Sequence, residues 1–116
     1  MKGESLMGFN ITAILTALAE PNRLNIVELL RDGPLSVGEI TKRLGLLQPQ
    51  ISKHLRVLKE AGLVEVRAIA NRRIYKLRPE PFQALNAWLE TYRTVWEERL
   101  DNLEDYLQKL QAQKNK

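Results

Sequence analysis

The chain has no cysteine and a single histidine, His54, in 116 residues. Without thiols there can be no disulfide framework, zinc–thiolate cluster or cysteine catalysis, and one imidazole cannot build a tetrahedral metal cage. No Gly-rich phosphate loop and no nucleophile–base pair can be found, so neither an enzyme nor a cofactor is expected, and no catalytic or metal-ligating residues are assigned. No apolar run approaches the ~18 residues that span a bilayer. The opening Met1-Lys2-Gly3-Glu4-Ser5 leads into a mixed polar and apolar stretch, unlike the core of a signal peptide. A soluble, cytoplasmic, membrane-free protein is the expectation.

What is present is an ordinary hydrophobic content of 44%, enough for one packed core, so residues 1–116 are read as a single domain. The net charge is +4, but its distribution says more. From Glu20 to Arg78 there are 12 Lys and Arg against 6 Asp and Glu, whereas from Pro79 to Lys116 there are 5 against 7. A basic middle joined to a mildly acidic tail suits a polyanion-binding unit carrying a segment with a different task.

Apolar periodicity divides the middle into short helices. Ile11, Ile14, Leu15 and Leu18 recur at helical spacing after Asn10, a side chain suited to cap a helix start. Pro21 opens a second helix with Leu24, Val27 and Leu30 as its stripe and Gly33 as its left-handed stop. Ser36 and Glu39 form a capping box for a third, with Leu35 and Ile40 spaced for a hydrophobic staple. Val37, Ile40 and Leu44 face inward, and Gly45 ends the helix. After only Leu46 and Leu47, Gln48-Pro49 starts a fourth helix whose inward residues are Ile51, Leu55 and Leu58, closed by Ala61-Gly62. Two short helices joined by a tight Gly-containing turn make a helix-turn-helix.

The period then changes. Leu63 to Ala70 and Arg73 to Arg78 read as two strands turning around Asn71-Arg72. The fold class expected is therefore mainly α with a small β-hairpin, a winged helix-turn-helix. Beyond Pro79 and Pro81 one long helix spans 80–112. Its Phe82, Leu89, Trp96, Leu103 and Leu110 recur every seven residues, Leu85, Tyr92 and Tyr106 interleave, and Leu100 and Leu107 widen the stripe. Such a row packs along another helix, and a helix of some 30 residues is ~45 Å long, more than the ~26 Å width of a compact domain of 100 residues. A homodimer is expected, with Leu85, Leu89, Tyr92, Trp96, Leu103 and Leu110 at its interface.

The outward face of the fourth helix carries Gln48, Gln50, Ser52, Lys53 and Arg56. Gln pairs with adenine edges in the major groove, and Lys with guanine or phosphate. Arg72 and Arg73 flank this face from the hairpin, while Lys42 and Arg43 on the third helix could hold the DNA backbone. Double-stranded DNA is the expected partner. His54 lies between the inward and outward faces and reads as a half-buried brace that reaches a phosphate at most. Glu97, Glu98, Asp101, Glu104 and Asp105 on the long helix read as a solvated acidic face.

Ala17-Leu18-Ala19-Glu20-Pro21-Asn22-Arg23-Leu24, and the string from Gln48-Pro49-Gln50 through Ser52-Lys53-His54-Leu55 to Ala61-Gly62-Leu63-Val64, closely resemble the ArsR/SmtB family of bacterial repressors. The resemblance covers about half of the chain, from Ala17 to Pro79. It implies a dimeric winged helix that binds an operator through the fourth helix and releases it when an inducer binds. It also implies that Gln48, Gln50, Ser52, Lys53 and His54 lie at or near DNA, that Arg72 and Arg73 sit at the wing tip, and that dimers pair through the first and last helices. The departures are specific. Ser36-Val37-Gly38 stands where the family's metal sensors carry Cys-Val-Cys, and the last helix has no His, so the resemblance is to a branch without metal ligands. Leu47 stands where many members have Ser or Thr, and Ala70-Asn71 replaces the Gly common in the wing turn. A sequence-specific transcriptional repressor without metal sensing is the leading reading, its inducer unknown. A winged-helix protein–protein adaptor with an incidental basic face is the alternative, since the fold serves both.

Overall fold

A computed structural model describes residues 8–114; the opening segment that carries Met1 to Ser5 lies outside them. Five helices and three short strands follow in the order α1 (Ile11–Leu18), α2 (Pro21–Leu30), β1 (Leu35–Ser36), α3 (Val37–Leu44), α4 (Gln48–Glu60), β2 (Val64–Ile69), β3 (Arg72–Leu77) and α5 (Pro79–Lys114). This is the winged helix-turn-helix expected, with one strand more than the hairpin alone.

Local chemistry sets most of the boundaries. The Asn10 side chain accepts from the Ala13 N–H at 3.0 Å to start α1. At α2 the capping acceptor is a carboxylate, Glu20, which accepts from the Arg23 N–H at 3.1 Å while Pro21 takes the first helical position. Arg23 then reaches back, and its Nε–H donates to the carbonyl of Ala17 at 2.8 Å, satisfying the end of α1 and fixing the angle between the two helices. The box at α3 is complete: Ser36 Oγ accepts from the Glu39 N–H at 3.2 Å and Glu39 Oε1 from the Ser36 N–H at 2.9 Å. Gly45 ends that helix in the left-handed conformation, φ 68°.

Helix α4 ends in a Schellman turn. With Gly62 at φ 81°, its N–H donates to the Lys59 carbonyl and the Leu63 N–H to that of Leu58, both at 3.0 Å, so the last carbonyls find donors as the chain leaves for the sheet. The Leu63 carbonyl in turn accepts from the Arg78 N–H at 2.9 Å.

The sheet runs β1-β3-β2, antiparallel throughout. Leu35 pairs with Tyr75 and Ser36 with Ile74, so the residue that caps α3 also extends the sheet. Ile69 pairs with Arg72, which puts the hairpin turn at Ala70-Asn71, one residue earlier than the sequence suggested. Ala70, at φ 55°, takes the left-handed position. Gly33 has φ 145° but follows a right-handed C-cap at Arg31; it serves the entry to β1 and does not stop α2.

The core gathers Ile14, Ile26, Ile40, Ile51, Leu55, Leu58 and Leu63, none with measurable exposure. Leu24 and Leu15, expected inside, are 43% and 40% exposed, and Ile26 takes the place of Leu24 on the buried side of α2. The start of α5 belongs to this core: Pro81 and Ala84 are buried, and Phe82, Leu85 and Trp88 pack half-buried against it. From Leu89 onward every residue of α5 is exposed. Its 36 residues make a rod of ~54 Å, which is why the radius of gyration is 21.1 Å rather than the ~13 Å of a compact 100-residue domain. No helix among the described residues is long and apolar enough to cross a membrane.

Candidate nucleic-acid interface

The exposed surface of α4 has two flanks. Gln48, Ser52, Arg56 and Lys59 stand one above another at helical spacing and face the hairpin across a cleft of about 380 Å³ that Arg73 and Tyr75 close. A second cleft of about 580 Å³, between the N-terminus of α3 and the wing tip, is lined by Ser36, Glu39, Lys42, Asn71 and Arg72. Val37, Gln48 and Arg73 line both, so the two are one groove. Lys42, Arg56, Lys59, Arg72 and Arg73 face a single carboxylate there, Glu39. An open groove with five cations and the neutral hydrogen-bonding side chains of Ser36, Gln48, Ser52 and Asn71 suits a phosphate-lined polyanion better than a small apolar ligand.

The other flank differs from what the sequence suggested. Gln50 Oε1 accepts from the Leu47 N–H at 3.1 Å, so its side chain supplies half of a capping box. Leu47 cannot supply the other half, because it has no side-chain acceptor. Lys53 is exposed midway between the flanks. His54 is turned away from the groove toward the start of α2, with Nδ1 3.4 Å from Glu20 Oε2 and its side chain 18% exposed. The alignment is not that of a hydrogen bond, which leaves Nδ1 buried without a hydrogen-bond partner. The structure thus seats His54 as the brace between α4 and α2. Partial desolvation works to raise the Glu20 carboxyl, but the backbone N–H groups of Asn22 and Arg23 and the charges of His54 and Arg23 outweigh it and hold the group below its ordinary value.

At the wing, Arg72 and Arg73 part company. The Arg72 guanidinium folds back onto the α3 cap, donating to Ser36 Oγ and Glu39 Oε1, each at 3.1 Å. The Ser36 backbone and hydroxyl, ahead of the charges of Arg72 and Arg43, hold the Glu39 carboxyl below its usual range against a smaller opposing effect of desolvation. Arg72 therefore clamps the wing to α3, while Arg73 lines both clefts. Lys59 and Asn71 were not singled out from the sequence. Lys59 could have been: three residues past Arg56 and eleven past Gln48, it falls on the same helical row.

Of the residues expected at a dimer interface, Leu89, Tyr92, Trp96, Leu103 and Leu110 are exposed on distal α5, joined by Val95, Leu100, Tyr106 and Leu107. Leu85 is instead occupied by its own domain. Among the described residues no three His, Cys, Asp or Glu side chains converge as a metal-ligand set.

A helix-turn-helix whose outer helix faces a wing across a basic groove defines the winged-helix class of DNA-binding proteins. Residues 14–66 match the family model described as bacterial regulatory protein, arsR family. The chain is 45% identical over 78 residues to the HTH-type transcriptional regulator Rv2034 of Mycobacterium tuberculosis, an alignment covering 67% of this chain and 73% of that one. It is 40% identical over 67 residues to the biofilm growth-associated repressor of Agrobacterium fabrum, covering 58% and 57%. Among solved structures, an ArsR family transcriptional regulator, RHA00566, superposes with a TM-score of 0.69 at 31% identity, covering 75% of this chain and 90% of that one. The chain belongs to the arsR family of bacterial regulatory proteins: it is a DNA-binding transcriptional regulator and not an enzyme.

Proposed function

We propose that this regulator is a homodimeric repressor that reads a two-fold symmetric operator in the cytoplasm, placing α4 in the major groove and the wing along the adjacent backbone. The groove between α4 and the wing carries this reading, because Gln48 and Ser52, which can address base edges, lie there among Lys42, Arg56, Lys59 and Arg73, which can hold phosphates. Occupying an operator blocks access to it, and the Agrobacterium fabrum relative is named a repressor. Lys53 and Gln50 extend the reading surface along α4. The Gln50 amide nitrogen remains available for a base while its oxygen caps the helix. His54 acts on DNA only through the placement of α4.

Pairing of distal α5 supports the dimer, since it would cover Leu89, Tyr92, Trp96, Leu103 and Leu110 together. Sensing through a transition metal has no support in the donor set, which holds one imidazole and no thiolate per chain. Selection of bound duplexes from a random pool tests the function. An enriched inverted repeat with half-sites about one helical turn apart, or a multiple of it, is expected. A pool that is not enriched would indicate the adaptor function instead. With the selected operator, Arg73→Ala should weaken binding to all sequences and lower the salt slope by about one unit.

A further inference from the structure

Leu47 is the most exposed large hydrophobic residue among those described, at 71%. It occupies the N-cap of α4, the helix assigned to the major groove. Both facts run against local stability. An N-cap favours Ser, Thr, Asp or Asn, whose side chains accept from the first turn, and Leu offers none. Its neighbour Leu46 is half-buried against the core, so the turn needs only one of its two leucines for packing. Gln50 has been recruited to bond the Leu47 N–H, which steadies the helix start without making Leu47 useful to the fold.

Residues at the N-terminal end of a recognition helix are the ones that meet base edges. The next residue, Gln48, lines both clefts, so this end of α4 borders the groove. Only one base presents an apolar group in the major groove: thymine, through its C5 methyl. We infer that Leu47 is a specificity-determining residue that packs on a thymine methyl in each half-site. This assignment rests on the DNA-reading function proposed above. A branched C4 side chain covers a methyl fully, whereas the shorter hydroxyl side chains that suit a cap better would leave it partly in water. The fold forgoes a capping bond, and the DNA-reading surface gains an apolar probe.

The test replaces each thymine of the selected operator by uracil, one position at a time. This removes the methyl and leaves base pairing and the O4 acceptor in place. For the wild-type dimer, one position per half-site should lose about fourfold in affinity, the value of burying one methyl-sized group. In Leu47→Ala the same uracil should cost nothing. Leu47→Ser should melt at a higher temperature than the wild type and yet lose the thymine preference, a combination that a merely structural residue does not produce. Uracil tolerated at every position, or a uracil penalty that survives in Leu47→Ala, would overturn the assignment while the enriched operator leaves the DNA-reading function standing. A random pool that yields no operator would overturn both.

Discussion

The winged domain and the far half of α5 carry equally regular apolar patterns with opposite fates. Ile51, Leu55 and Leu58 on α4 have no measurable exposure, while Trp96, seven residues after Leu89 on an equally clear stripe, is 61% exposed. Periodicity says that a helix has a face in need of cover, not whose surface will provide it. The domain covers α4 with its own side chains. Distal α5 has run beyond them and can be covered only by something outside the fold.

The contrast breaks first at the core. Leu55→Ala should cost ~2–5 kcal/mol by chemical denaturation, and the change should be the same at low and high protein concentration, because the loss lies within one chain. Trp96→Asp should do the reverse. The winged domain should keep its helical circular dichroism while sedimentation shows a mass near 13.4 kDa. The substitution removes a buried side chain of ~1.5–3 kcal/mol from each of the two chains, which weakens the pairing roughly 100- to 10,000-fold. A Trp96→Asp protein that still sediments at twice the chain mass would mean that the stripe pairs elsewhere or that another surface makes the dimer.

Smaller effects sharpen the comparison within the domain. The Glu39 carboxyl titrates below its ordinary value of 4.5, so the stability it contributes is complete above that value and drains away as pH falls through the lower, folded-state one. Glu39→Gln keeps an acceptor for the Ser36 N–H but removes the charge facing Arg72. The variant should therefore melt below the wild type at neutral pH and converge with it on the acid side, giving a flatter acid limb, and an unchanged acid slope would mean that the clamp carries no electrostatic weight. The smallest effect lies at the wing tip. Ala70 holds a left-handed φ of 55°, a conformation that costs an L-residue about 1–2 kcal/mol and glycine little. Glycine gives back part of this as unfolded-chain entropy, so Ala70→Gly should stabilise by under ~1 kcal/mol, seen as a small rise in melting temperature. A fall would show that the Ala70 side chain makes a contact worth more than the strain.

Signals that act within one turn of chain are legible in the residues themselves. The box at Ser36 and Glu39, the cap at Asn10 and the left-handed exits at Gly45 and Gly62 depend on neighbours three to five residues away. What could not be read depends on partners far along the chain. Strand β1 is two residues long and exists because Tyr75 and Ile74 lie beside it. Arg72 is a clamp because Glu39, thirty-three residues earlier, is within reach. His54 faces Glu20 because α2 packs on α4. The groove's chemistry was legible as a set of residue types on α4 and the wing, but its division of labour was not. Gln50 looked like a base reader and also caps its helix, and Leu47 looked like a defect in the helix start.

The hydrogen bond from Arg78 to the Leu63 carbonyl stitches the exit of α4 to the root of α5, so the long helix behaves as a stiff rod mounted beside α4, the helix proposed to read DNA. Over ~54 Å, one degree of tilt at the mount carries the free end through about 1 Å. Run backwards, the same gearing forgives error. If two such rods meet along their far halves, an ångström of slack in how their side chains mesh arrives at α4 as roughly a degree of rotation. A dimer built this way can pair its tails loosely and still hold its two reading heads at the pitch of the double helix.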